Sequence, residues 1–172
     1  MAISLYDVSV ASFQQVLAGV AGFLEKGRAH CVAQGIDLNE IVETRIHPDM
    51  FPFRFQVVSV AHHSLGAVKG VEAGVFGPPN AGEYDYAGLQ ALIADAQAGL
   101  QAYSRAAIEA LEGRDVEFRL GNNRLPFVAE NFFMSFSLPN LHFHATTAYD
   151  ILRMKGVALG KRDYLVQVRV KT

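Results

Sequence analysis

Four long stretches of this chain repeat apolar residues at intervals of three and four, and no other feature of the sequence restricts the fold so much. In the first, from about Leu5 to Gln34, the residues Phe13, Val16, Leu17, Val20, Phe23 and Leu24 fall on one helix face. Gly35 stands where a left-handed residue commonly closes a helix. The second stretch is expected over about Pro52 to Glu72, with Val57, Val58, Ala61, Leu65 and Val68 as its apolar stripe. Gln56, Ser59, His63, Gly66, Ala67 and Gly70 lie opposite, and the small residues among them predict close approach of another helix, including one from a second subunit. The third follows a capping Asp85, carries Leu89, Leu92, Ile93, Ala96, Leu100, Tyr103, Ala107 and Leu111, and ends near Gly113. The fourth is expected over about Ala129 to Lys155. Pro139 lies inside it, removes the hydrogen bond to Ser135 and predicts a kink or a break.

The connections are also legible. Asp37-Leu38-Asn39-Glu40 is a start signal for a short helix through about Thr44. His47 to Pro52 reads as a turn, and Gly77 to Gly82 as a loop. Around Gly121-Asn122-Asn123 the period changes to alternation, which predicts a β-hairpin lying against the bundle. The expected architecture is one all-α (mainly) domain, residues 1–172, built as an up-down four-helix bundle over about 5–156. A small hairpin at about 116–128 joins helices 3 and 4, and a basic C-terminal tail covers about 157–172.

Composition narrows the function classes. At 51% hydrophobic and 19% charged residues the chain can bury enough surface to offset its ordering entropy. Cys31 is the single cysteine and forms no internal disulfide, so a cytoplasmic protein is expected. The first residues lack the pattern of a signal peptide. Gln14, Gln15, Glu25 and His62 interrupt the apolar runs, so no membrane partner is expected. The net charge of −2 argues against a general nucleic-acid binder. From Ile151 onward six basic residues against Asp163 alone give +5 and leave −7 for the first 150 residues, a pattern that reads as a solvated basic end.

The chain has no glycine-rich phosphate loop, no His-Glu-x-x-His and no paired-cysteine knuckle, which leaves its histidines. At 100° per residue, His144 lies on the inward stripe of the fourth helix with Leu141, Ala145, Ala148 and Leu152. Asn140 precedes it by one turn on the same face, and Thr147 extends that polar edge. His142 points to the other flank, near Tyr149 and Arg153. On the second helix His62 borders the apolar stripe while His63 faces away, and His47 approaches from the turn. His144 with Asn140 and His62 is therefore the best metal or proton-transfer set. A histidine bonded to Asn, Thr or a carbonyl in the interior is the commoner use of such residues, and Cys31 reads as an inert thiol.

Pro48-Asp49-Met50-Phe51-Pro52, the run from Leu138-Pro139-Asn140-Leu141-His142-Phe143-His144 to Arg153, and Gly160-Lys161-Arg162-Asp163-Tyr164-Leu165 resemble a bacterial family of unknown function in the DinB-like superfamily. That resemblance implies an up-down bundle, often homodimeric. Some members of the wider superfamily hold a divalent metal through one histidine on the second helix and a His-x-x-x-His pair on the fourth, and certain of those are thiol-dependent transferases or isomerases. This chain has Asn140 where the pair's first histidine would stand. Its second helix offers Gln56 in one register or His62 in another. An amide is a poorer zinc or nickel ligand than imidazole, so a degenerate metal site is expected. Whether the chain is an enzyme is left open. The favoured reading is a small-molecule binder with its pocket between helices 2 and 4, and Gln56, His47, Thr147, His142 and Tyr149 are the pocket candidates. The alternatives are a metal-dependent transferase or hydrolase and a scaffold dimerising through the face around Ser59 and Gly66.

Overall fold

The computed structural model describes residues 3–171. Helix α1 (Leu5–Val8) starts at Ser4, whose hydroxyl accepts the Asp7 N–H while the Asp7 carboxylate accepts the Ser4 N–H. The chain steps sideways at Ser9 and continues as α2 (Val10–Gln34), which closes at Gly35 with φ of 65°. The 30 residues Leu5–Gln34 are long and apolar enough to cross a membrane by length and composition, contrary to the expectation from their interrupting polar residues. Half of the most apolar window is buried inside the fold, as in the core helix of a bundle.

Asp37 caps α3 (Leu38–Glu43) by accepting the Asn39 N–H. The second long helix is α4 (Phe53–Ala61), a π turn at His62–Gly66, and α5 (Ala67–Ala73). Strand β1 (Val75–Phe76) follows, then α6 (Tyr86–Gln101) with Asp85 as its cap. The third helix does not run on to Gly113. It stops at Ala102, and Ser104 caps a separate short helix, α7 (Arg105–Glu109), by accepting the Ala107 N–H. A serine hydroxyl competes for main-chain donors, and that competition breaks the expected continuous helix.

β2 (Asp115–Leu120) and β3 (Asn123–Val128) form the expected hairpin over a two-residue turn in which Gly121 takes φ of 56°. β1 adds to it in parallel, pairing Phe76 with Phe118, so the sheet has the order β1-β2-β3. The fourth helix is α8 (Ala129–Asn131), a second π turn at Phe132–Ser137, and α9 (Leu138–Met154). Pro139 thus enters the first turn of a helical segment, where its missing N–H costs least. The widened turn before it absorbs the misfit, and Asn140 Nδ2 donates to the Phe136 carbonyl at 2.8 Å.

α2 packs on α6 and α9, and α4 packs on the same two helices. α2 and α4 therefore lie on one diagonal of the bundle, and α3 with residues 44–52 carries the chain across its end. Phe13, Phe23, Phe53, Tyr86, Phe132 and Phe133 fill the centre. The Tyr86 hydroxyl donates to the Leu24 carbonyl at 2.7 Å. A Cβ on Gly27 would stand 2.5 Å from that hydroxyl, so this crossing needs glycine.

Two expectations change. Much of the small-residue face of the second helix is used within this chain, since Ser59, Ala67 and Gly70 are buried and only Gly66 is partly exposed. A Cβ on Gly70 would meet the Phe76 ring at 2.7 Å. The bundle also extends beyond residue 156. Val157 and Leu159 are buried, and α10 (Lys161–Leu165) lies on α2, where Lys26 pairs with Asp163 at 2.6 Å. Lys161 and Arg162 are exposed on the outer side of α10, and from Leu165 to Lys171 every residue is exposed.

Candidate functional site

The seam between α4 and α9 carries most of the unusual polar chemistry. Gln56, Ser59 and His63 are buried along one side of the second helix, although that side holds no charge to pair with. The Gln56 side chain spans two partners. Its Nε2 donates to the Phe51 carbonyl at 2.9 Å, and its Oε1 lies 2.8 Å from His144 Nδ1. With the amide nitrogen committed to a carbonyl, the oxygen must be the atom facing the ring. His144 Nδ1 therefore donates, and its Nε2 keeps a lone pair.

Aromatic rings surround that imidazole. Phe55 and Phe143 meet His144 edge to face, at centroid distances of 5.8 and 5.3 Å. Phe51 stacks on Phe55 at 4.1 Å. Phe51 and Phe143 are 59% and 58% exposed, so the rim of this site is an apolar surface in contact with solvent. Phe51, Phe55 and Phe143 thus set an apolar, aromatic edge beside the buried Gln56 amide.

Deeper in, His63 lies parallel to His144 at 5.9 Å and edge-on to His62 at 5.4 Å. Phe76 and Phe136 enclose it, and its Nδ1 has no hydrogen-bond partner among the described residues. Burial pushes the His63 imidazolium down to about 3, helped by the neighbouring His62 and His144 rings. Burial first, and then His62, pushes His144 down to about 4. His62 is also lowered by burial, opposed by its bond to Gly77. All three rings are neutral at neutral pH.

The sequence-predicted residues thus separate. Gln56 and His144 are in direct contact, which fixes the register of the second helix. Asn140 lies one turn before His144, but its amide nitrogen serves Phe136. His62 turns away, and its Nε2 donates to the Gly77 carbonyl at 2.7 Å while its ring stacks on Phe76. The ring against His144 is His63, seven residues after Gln56 and so on the same face of a regular helix. The face holding Gln56, Ser59 and His63 is the one that meets α9, so the expectation that His62 turns toward His144 assigns the wrong face of the second helix to the seam. Thr147 is buried next to the site but returns its hydroxyl to the Phe143 carbonyl at 2.7 Å. His142 shares a 3.0 Å hydrogen bond with the Tyr164 hydroxyl, and Tyr149 packs on Phe23 and Tyr164, both away from His144. His47 is exposed in its turn and bonds to Asp49. Spacing does not single out Phe51, Phe55, Phe143 or His63. Their only trace in the sequence is the aromatic density around Gln56 and His144, which core packing explains equally well.

The donors do not suit the divalent metal that the resemblance implies. Gln56, Asn140 and His144 offer one imidazole, both amide nitrogens are held by carbonyls, and the Gln56 oxygen accepts the hydrogen bond from His144 Nδ1. Among the described residues no three His, Cys, Asp or Glu side chains converge as a metal set.

Comparison with known proteins places this geometry in context. The family model of a domain of unknown function, DUF1993, matches residues 5–165. A crystal structure of a DinB family member protein from Shewanella denitrificans is similar over 98% of this chain and 95% of that one, with a TM-score of 0.80 and 27% identity. No curated protein matches this sequence.

Proposed function

Because the chain belongs to the DUF1993 family and has a DinB-like fold, we propose that it is a small-molecule binding protein whose site is the aromatic-rimmed seam between the second and fourth helices. The observation that carries this reading is the Gln56 amide, which holds the His144 proton on Nδ1 and leaves Nε2 as a neutral acceptor. Phe51, Phe55 and Phe143 supply flat apolar surface around that acceptor. The fitting ligand is planar and apolar, with one N–H or O–H donor. Burial of an unpaired acceptor would penalise an analogue lacking that donor, which is how such sites discriminate.

Binding fits better than proton transfer. A base held near 4 is a weak proton acceptor at neutral pH, whereas a general base works best with a value near the operating pH. The metal position of the wider superfamily is, on this reading, rebuilt as a hydrogen-bond clamp.

Indole and 1-benzofuran, which share a shape and differ in the N–H, test the proposal by isothermal titration. Saturable indole binding that falls at least about tenfold for benzofuran, and disappears in His144→Leu, is the expected result; tenfold corresponds to about 1.4 kcal/mol. Equal binding of the two probes, or indole binding unchanged by His144→Leu, contradicts it.

A further inference from the structure

A cleft lined by neither Gln56 nor His144 lies between the second and third helices, with a volume of about 350 Å³. Val58, Ala61, Leu65, Leu92 and Ala96 line its floor. The volume is at the small end of ligand sites, which span roughly 300–1,000 Å³.

Its roof is the loop after β1, and that loop is fastened at several points. His62, at the start of the π turn, donates from Nε2 to the Gly77 carbonyl at 2.7 Å. Arg54 donates to the Gly82 carbonyl at 3.0 Å, and the Gly82 N–H donates to Asn80 Oδ1 at 3.2 Å. Pro78 and Pro79 stiffen the stretch between, and Pro79, Asn80 and Tyr84 line the cleft. A roof held this way requires little ordering when a ligand enters, which favours affinity.

The mouth carries one charge of each sign from opposite walls. Lys69 comes from the second helix and Asp95 from the third, both exposed. Neither forms an ion pair among the described residues, with the other or with anything else. With Nε2 committed to Gly77, His62 Nδ1 is a lone-pair acceptor, and it lies 3.2 Å from where a Cβ on Gly66 would stand. Gly66 itself lines the cleft, so the absence of a side chain there leaves this acceptor uncovered.

We propose that this cleft binds a small zwitterion with an apolar side chain, of the free α-amino acid class. Lys69 receives the carboxylate, Asp95 with His62 Nδ1 receives the ammonium group, and the side chain lies on Ala61, Leu65 and Leu92. An apolar floor alone would take any small hydrocarbon. Two unpaired opposite charges at one mouth select a ligand that presents both.

L-Leucine is the probe, followed by titration calorimetry and amide-shift mapping on the intact chain. Leucinamide lacks the carboxylate and N-acetyl-leucine lacks the ammonium. Saturable leucine binding is expected, with shifts around Gly66 and Ala96, and each analogue should weaken it at least about tenfold. Lys69→Met, at an exposed position that does not threaten folding, should weaken leucine as much as removing its carboxylate does. The proposal is overturned if leucine does not saturate in the millimolar range, if the analogues bind equally well, or if the shifts map to His144 instead.

Discussion

The Gln56 side chain works as a bracket, with one end on a main-chain carbonyl and the other on the half-buried His144 imidazole. Removing that bracket isolates polar atoms on both sides. Gln56→Leu should cost about 1–3 kcal/mol in urea unfolding, the usual penalty of an unpaired buried group. His63 presents the opposite case, since its Nδ1 is already unpartnered among aromatic rings. His63→Phe is therefore expected to leave neutral-pH stability unchanged or higher. The same residues set an acid limit. The folded-state values of His63 and His144 lie at about 3 and about 4, below the value near 6.5 that each takes when unfolded. Between those limits the unfolded chain binds more protons, so stability is full above about 6.5 and declines as pH falls toward 3. Urea midpoints measured from pH 7 downward should fall over that window in the native chain and fall less steeply in His63→Phe. A midpoint independent of pH there would contradict the burial of these rings.

At the scale of elements, two π turns do what the apolar periodicity could not announce. One sits at His62–Gly66 and the other immediately before Pro139. The second is half legible, because a proline inside a helical pattern demands some irregularity. The first has no such marker. Gly66 is compatible with it but does not require it. His62 and His63 exchange their expected places for another reason: the polar face of Gln56, Ser59 and His63 is buried against the fourth helix. The third helix shows a related limit: its stripe continues past Gln101, yet Ser104 starts a new helix because a hydroxyl cap outweighs a weak apolar repeat. Strand β1, two residues long, carries too little pattern to be read at all. Packing of the first π turn rests on Gly70, whose missing Cβ admits Phe76. Gly70→Ala should cost about 1–3 kcal/mol by overpacking. It should also loosen the His62 to Gly77 bond, detected as faster amide exchange in residues 77–84 with little change in α2.

For the molecule as a whole, the bundle, the hairpin and the inward position of His144 are all legible in the sequence, because each follows from a period repeated over many residues. The diagonal placement of α2 and α4 is not, since order around a bundle depends on long-range packing that no local window contains. The candidate site is legible in its centre and illegible in its surroundings. His144, Gln56 and Asn140 stand out by residue type, whereas the aromatic rim is indistinguishable from core. What separates this site from a three-histidine metal centre is its donor set, one imidazole beside two amides, with the His144 Nδ1 proton held by Gln56. Long-range proton–nitrogen spectra of the histidine-labelled chain report that proton directly. With and without one equivalent of zinc, a protonated Nδ1, a bare Nε2 and no response to the metal are expected at pH 7. A bare Nδ1, or a His144 signal that moves stoichiometrically with zinc, would contradict it.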